Sequence, residues 1–123
     1  MTASRFDARV RHEGGVAVID IRGDVDAFAD ETINAAYAEA MSGDPTTVLL
    51  NFDDVGYINS TGIGLIVGLL AQALKSHHRL LACGLSDHYR EIFEITRLTD
   101  FMNIFPDEAS AIANAAGPAA ADS

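Results

Sequence analysis

The stretch Val48-Leu49-Leu50-Asn51-Phe52-Asp53-Asp54-Val55-Gly56-Tyr57-Ile58-Asn59-Ser60-Thr61-Gly62-Ile63-Gly64-Leu65-Ile66-Val67-Gly68-Leu69-Leu70 decides the fold. Val48 to Phe52 is a short apolar run bounded by turn formers. It predicts a strand covered on both faces, as in a parallel sheet. Asp53 to Gly56 reads as a turn. An apolar helix follows. Ser60 is placed to cap that helix by accepting a backbone N–H from the first turn.

Within the helix, Ile63, Ile66, Val67, Leu70 and Leu74 fall on one stripe at helical spacing and form the expected buried face. Gly62, Gly64 and Gly68 lie in the same segment. A glycine inside a helix costs about 1 kcal/mol relative to alanine, so something should offset it. On a helical wheel Gly64 and Gly68 lie off the stripe, beside Leu65 and Gln72. This smooth, partly apolar strip is a candidate interface for a partner protein. The alternative is that another element of the same domain covers it.

Outward from this unit, Phe6, Ala8 and Val10 alternate with polar residues, and so do Val16, Val18 or Ile19, and Ile21. With the turn Glu13-Gly14-Gly15 between them, these runs predict an antiparallel hairpin. Gly23-Asp24-Val25-Asp26 breaks the strand, and Asp26 is placed to cap the next helix. There Ile33, Ala36, Tyr37, Ala40 and Met41 form one buried face. Beyond the His77-His78 turn, Leu80-Leu81-Ala82-Cys83 is a second short apolar strand. Ser86 or Asp87 caps a helix with Tyr89, Ile92, Phe93 and Thr96 inward. Leu98 to Phe105 is a short extended segment. Pro106, Asp107 and Glu108 suit the first turn of a last helix, with Ala109, Ile112, Ala113 and Ala116 as its apolar positions. The alternation predicts an α/β fold, a small mixed sheet with about four helices packed on it. Residues 1–116 form a single domain in this reading, and 117–123 a flexible C-terminal tail.

The 123 residues suffice for one domain with a proper core, and 49% of them are apolar. The net charge of −10 argues against a nucleic-acid partner, which needs clustered Lys and Arg. Met1 to Asp7 lacks the apolar core of a signal peptide. No apolar run reaches the roughly 20 residues that span a bilayer. With Cys83 as the single cysteine there is no internal disulfide. Cytoplasmic residence, with no membrane insertion, is the simplest expectation.

No catalytic constellation is visible. Gly62-Ile63-Gly64 resembles the start of a dinucleotide fingerprint, but Val67 stands where the third glycine belongs. Ser60 sits between strand and helix, yet Ile58 occupies the position where a nucleophile elbow needs glycine. His12, His77, His78 and His88 fall in apparent turns or helix starts and do not make a metal site. Cys83 reads as a small core residue, and Asp53-Asp54 as a solvated turn. The expectation is a protein that is not an enzyme and takes no cofactor or metal. Ser60 remains. A serine at a helix N-terminus beside an exposed glycine-rich face accommodates a phosphate, whose roughly two negative charges the helix end favours. A partner resting on that face would then meet new charge and bulk.

Val48 to Asn51, followed by Tyr57-Ile58-Asn59-Ser60-Thr61-Gly62-Ile63-Gly64, resembles the STAS-domain anti-sigma factor antagonists, the anti-anti-sigma family of bacteria. Gly23-Asp24-Val25-Asp26 is similar to the family's Gly-x-Leu-Asp turn. Tyr89 to Thr96 with Leu98 is similar to its third helix, and Ile104-Phe105 with Asp107 to Ile112 to its closing segment. The resemblance implies a protein that binds an anti-sigma factor, itself a serine kinase, and so frees a sigma factor. It further implies that the kinase phosphorylates Ser60 and separates the complex, and that a serine phosphatase restores it. The implied contact surface comprises Asp24, Asp26, Asn59, Thr61, Gly62, Gly64, Leu65 and Gly68, on a monomer or weak dimer. Two positions depart from the family pattern. Asn59 replaces the usual Asp, keeping its size and one acceptor but losing its charge, and Arg97 replaces a common glycine. The alternative is a STAS subunit of another assembly, transporter-associated or scaffolding, in which Ser60 is only a cap.

Overall fold

Gly14 takes a left-handed φ of 65°, and the chain reverses there. In the computed structural model, which describes residues 6–116, this turn joins β1 (Asp7–Glu13) and β2 (Val16–Val25) into an antiparallel hairpin. The chain continues through a 3-10 turn (Ala27–Ala29), α1 (Asp30–Met41), β3 (Thr47–Ile58) and α2 (Ser60–Lys75). Then follow β4 (Arg79–Cys83), α3 (Asp87–Ile95), a second 3-10 turn (Leu98–Asp100), β5 (Asn103–Phe105) and α4 (Glu108–Ala116). The strands lie in the sheet in chain order, β1 to β5. Every pair after the first is parallel, so each later strand needs a helical crossover. The result is the α/β architecture expected, a mixed sheet of five strands with four helices. The expected tail at 117–123 lies outside the described residues.

Strand alternation sorts the core into two layers. Ala17, Ile19, Ile21, Val48, Leu50, Phe52, Leu80 and Ala82 face α1, α2 and α3. Val16, Val18, Leu49, Leu81 and Cys83 face the other way, where Ala111 of α4 covers them. Ile33, Ala36, Tyr37 and Ala40 of α1 are buried as expected. Phe93 of α3 meets Phe52 edge to face, with ring centroids 6.1 Å apart. Burial pushes the Cys83 thiol up to about 12, helped by the nearby Asp53 carboxylate, so it stays a protonated core residue.

Polar groups tie α4 to the sheet. Arg11 of β1 donates to Asp20 of β2 at 2.6 and 2.9 Å and to Glu108 of α4 at 2.8 and 3.1 Å. Asn51 of β3 donates to the same Asp20 at 2.9 Å. These bonds, led by the one from Arg11, hold the Asp20 carboxyl below its ordinary range.

Several local expectations give way. Asp53 to Gly56 is not a turn, because β3 runs on to Ile58. Likewise Gly23 to Val25 remains within β2. The two ends pair with each other, and register shifts beside Arg22 and Gly23 absorb the irregular backbone. Leu98 to Asp100 is a 3-10 turn, leaving only Asn103–Phe105 extended. Thr96 is exposed as the C-cap of α3, its hydroxyl turned back onto the Ile92 carbonyl. The last helix begins at Glu108, after Pro106. Asp107 caps it by accepting the Ser110 N–H at 2.8 Å. It presents Ala111, Ile112 and Ala115 inward, not Ala109 and Ala113. Arg97 takes the left-handed φ of 67° that a glycine would adopt freely.

Candidate functional site

The segment Asn59-Ser60-Thr61-Gly62 stands at the carboxyl ends of β2 and β3, where parallel strands hand over to helices. Asn59 sits in extended backbone, and its side-chain oxygen accepts the Gly62 N–H at 2.8 Å. Asn59, not Ser60, is therefore the cap. The amide oxygen supplies the acceptor that a cap requires, so the cap geometry needs no carboxylate. Ser60 is the exposed first residue of α2, with its hydroxyl free of the capping role.

Two further bonds fix this corner. The Asn59 N–H donates to the Val25 carbonyl at 3.2 Å. The Ile58 N–H donates to the Tyr89 hydroxyl at 3.0 Å. Thus α3 holds the last residue of β3 from 31 positions away. Sequence reasoning placed Tyr89 only in an apolar stripe. Nothing local marks its hydroxyl as a backbone acceptor.

Gly62 is buried, and a Cβ there would run into the Val25 carbonyl and lie 3.0 Å from Ile58 Cγ2. It belongs to the interior and not to an exposed contact surface. The close approach of helix to strand that a missing side chain permits accounts for this glycine. Gly62 also sets the rotation of α2. The buried residues are Gly62, Ile66, Leu69, Leu70 and Ala73. Of the expected stripe, Ile66 and Leu70 are buried and Ile63 is partly buried, whereas Val67 and Leu74 are 44% and 49% exposed. The helix is apolar on nearly every side, so periodicity alone did not select the inner one.

Gly64 and Gly68 face open space, with nothing within 4 Å of where a Cβ would stand. Thr61 is exposed and Leu65 half-buried beside them. No other element of the described residues covers this strip.

Asp24 and Asp26 are half-buried at the same end of the sheet. Asp24 pairs in register with the half-exposed Tyr57 of β3. Asp26 caps the 3-10 turn and not α1, its carboxylate accepting the Phe28 N–H at 2.9 Å. The turn inserts three residues before the helix, and Ala29 occupies the helix cap position without a side-chain bond. The fold thus brings Asp24, Asp26, Asn59, Ser60, Thr61, Gly64, Leu65 and Gly68 to one end and one helix face, and buries Gly62 behind them.

Among the described residues no three His, Cys, Asp or Glu side chains gather as metal ligands. No helix among them is long and apolar enough to cross a membrane.

The STAS domain family model matches residues 7–111. The anti-sigma-B factor antagonist of Staphylococcus aureus is 28% identical over 86 residues, covering 70% of this chain and 80% of that protein. The Bacillus cell fate determinant SpoIIAA, solved in its phosphorylated form, superposes with a TM-score of 0.68 at 26% identity, covering 90% of this chain and 99% of that one. An anti-sigma factor antagonist from Mycobacterium paratuberculosis shares the fold with a TM-score of 0.77 at 16% identity, covering 89% of this chain and 92% of that one. With the family model spanning the sheet and reaching into all four helices, the chain belongs to the STAS domain family.

Proposed function

We propose that this chain is an anti-sigma factor antagonist. It binds an anti-sigma serine kinase, thereby releasing a sigma factor, and phosphorylation at Ser60 switches it off. The observation that carries this reading is the exposed Ser60 at the first position of α2, capped independently by Asn59 and flanked by the uncovered Gly64–Gly68 strip. The similarity to anti-sigma factor antagonists supports it.

The switch follows from electrostatics. A phosphate at the first helical position lies against the positive end of α2 and leaves the fold intact. The partner surface comprises Asp24, Asp26, Asn59, Thr61, Gly64, Leu65 and Gly68. A protein seated there meets about two added negative charges and loses contact. A serine phosphatase reverses the state. The chain acts by binding and not by catalysis, without cofactor or metal, in the cytoplasm, as a monomer or weak dimer.

The test is affinity capture from native lysate with wild type, Ser60→Ala and Ser60→Asp as baits. The expected result is an ATPase-type kinase on the first two baits only, with phosphate on Ser60 of the wild type. Equal capture by all three baits, with no phosphate found, would overturn the switch and leave Ser60 a structural residue in another assembly.

A further inference from the structure

Phe28 is 91% exposed, the highest value among the large apolar side chains of the described residues. An isolated exposed apolar residue is ordinary. Phe28 differs because its backbone is fixed. Its N–H is bonded to the Asp26 carboxylate, the Ala29 N–H to the Asp26 carbonyl at 2.9 Å, and Ala29 is fully buried. The ring is thus held outward on a short rigid turn that packs against α2. An aromatic ring presented this way loses little freedom on binding and suits an interface anchor.

The chain just before and after it is one-sided in charge. From Gly23 to Leu74 the chain has no Lys, Arg or His, and within four residues of Phe28 it carries Asp24, Asp26, Asp30 and Glu31. This segment builds the ends of β2 and β3, the 3-10 turn, α1 and almost all of α2. Arg22, just before it, shares a cleft with Arg9 and with the carboxylates of Asp7, Asp20 and Asp54. Further off, Arg11 is engaged by Asp20 and Glu108, and Arg90 by Asp87.

We propose that Phe28 is the apolar anchor of the Ser60 surface, and that its occupant is a protein face carrying an apolar pocket rimmed by Lys and Arg. This rests on the partner-switching reading above. Complementary charge makes the association fast and salt-sensitive. The phosphate works against this attraction: placed on the first turn of α2, beside the open Gly64–Gly68 strip, its bulk stands where the partner must approach.

The test places a photo-cross-linking benzoylphenylalanine at position 28, 68 or 101 of the full chain, expressed in its native cells, with and without Ser60→Asp. The expected result is the same kinase cross-linked from positions 28 and 68, through a site bordered by Lys or Arg, and lost with Ser60→Asp. Phe28→Ser, folded by circular dichroism, then lowers affinity for that purified kinase at least tenfold, a loss typical of an interface anchor. Phe101→Ser, at an exposed ring elsewhere, leaves affinity unchanged. Cross-linking of the kinase from 68 but not 28, or an unchanged affinity for Phe28→Ser, overturns the anchor while the switch stands. Cross-linking from 28 that Ser60→Asp does not affect also overturns it. No kinase from either position overturns both readings.

Discussion

The two sides of α2 use glycine for opposite purposes. Toward the sheet, Gly62 lacks a side chain because the Val25 carbonyl occupies the space, and the rest of that side is Ile66, Leu69, Leu70 and Ala73. Toward solvent, Gly64 and Gly68 have room to spare. Packing accounts for the first glycine. It gives no account of the other two, each of which costs about 1 kcal/mol in a helix interior. On the proposed function, the partner seats on this side, the one that the helix's own domain does not touch.

Substitutions along α2 test this contrast. Gly62→Ala has the largest expected effect, a loss of about 3 kcal/mol or a displaced α2, because the new methyl meets backbone that cannot yield. Chemical denaturation reads it, and a change under about 1 kcal/mol would show that helix and strand are not locked. Ile66→Ala should cost about 3 kcal/mol, and Val67→Ala, on the outer side, under about 1. Comparable losses would mean that the helix is rotated from the orientation described.

Asn59→Ala removes the cap and should cost about 1 kcal/mol, whereas Asn59→Asp keeps the acceptor and stays within about 0.5 of wild type. Ser60→Ala should also stay within about 0.5 kcal/mol, since the cap belongs to its neighbour. Gly68→Ala has the opposite sign, a gain of about 0.5–1 kcal/mol. Partner affinity should fall in the same variant. A gain in stability with unchanged affinity would remove the outer strip from the interface.

Acid separates α2 from the Arg11–Asp20 cluster of the sheet. The inner side of α2 carries no ionisable group, while α4 is held through Arg11 to the sheet. The Asp20 carboxyl titrates below its ordinary value because Arg11 and Asn51 bond its ionised form. Its contribution is therefore complete above the usual carboxylate range near 4 and is lost as pH falls through the lowered value. Amide exchange measured down a pH series should show β1, which Arg11 ties to β2 through Asp20, loosening before α2. Simultaneous loosening would argue against a separate polar attachment.

Much of this was legible in the chain. Gly14-Gly15 between alternating runs gave away the hairpin, and Val48 to Phe52 the buried strand. The start of the next helix beside Ser60 was readable too. The orientation of α2 was not, because leucine, isoleucine and valine surround it and only a contact with Val25, far back in sequence, selects a side. Asp53-Asp54-Val55-Gly56 reads as a turn by local preference, yet pairing with the end of β2 keeps it extended. The Tyr89 hydroxyl and the outward Phe28 left no local trace, since both depend on where other elements stop.

One consequence of the strand order concerns how the molecule assembles. Each strand lies beside its neighbour in sequence, so the sheet can grow from its first hairpin by adding one crossover at a time. The bond between Arg11 and Glu108 is different, for it joins positions 97 residues apart. It can form only once the chain has reached α4. The arginine of the first strand thus clasps the last helix of the domain, so that the two ends of the fold are fastened to each other on the face of the sheet away from α2.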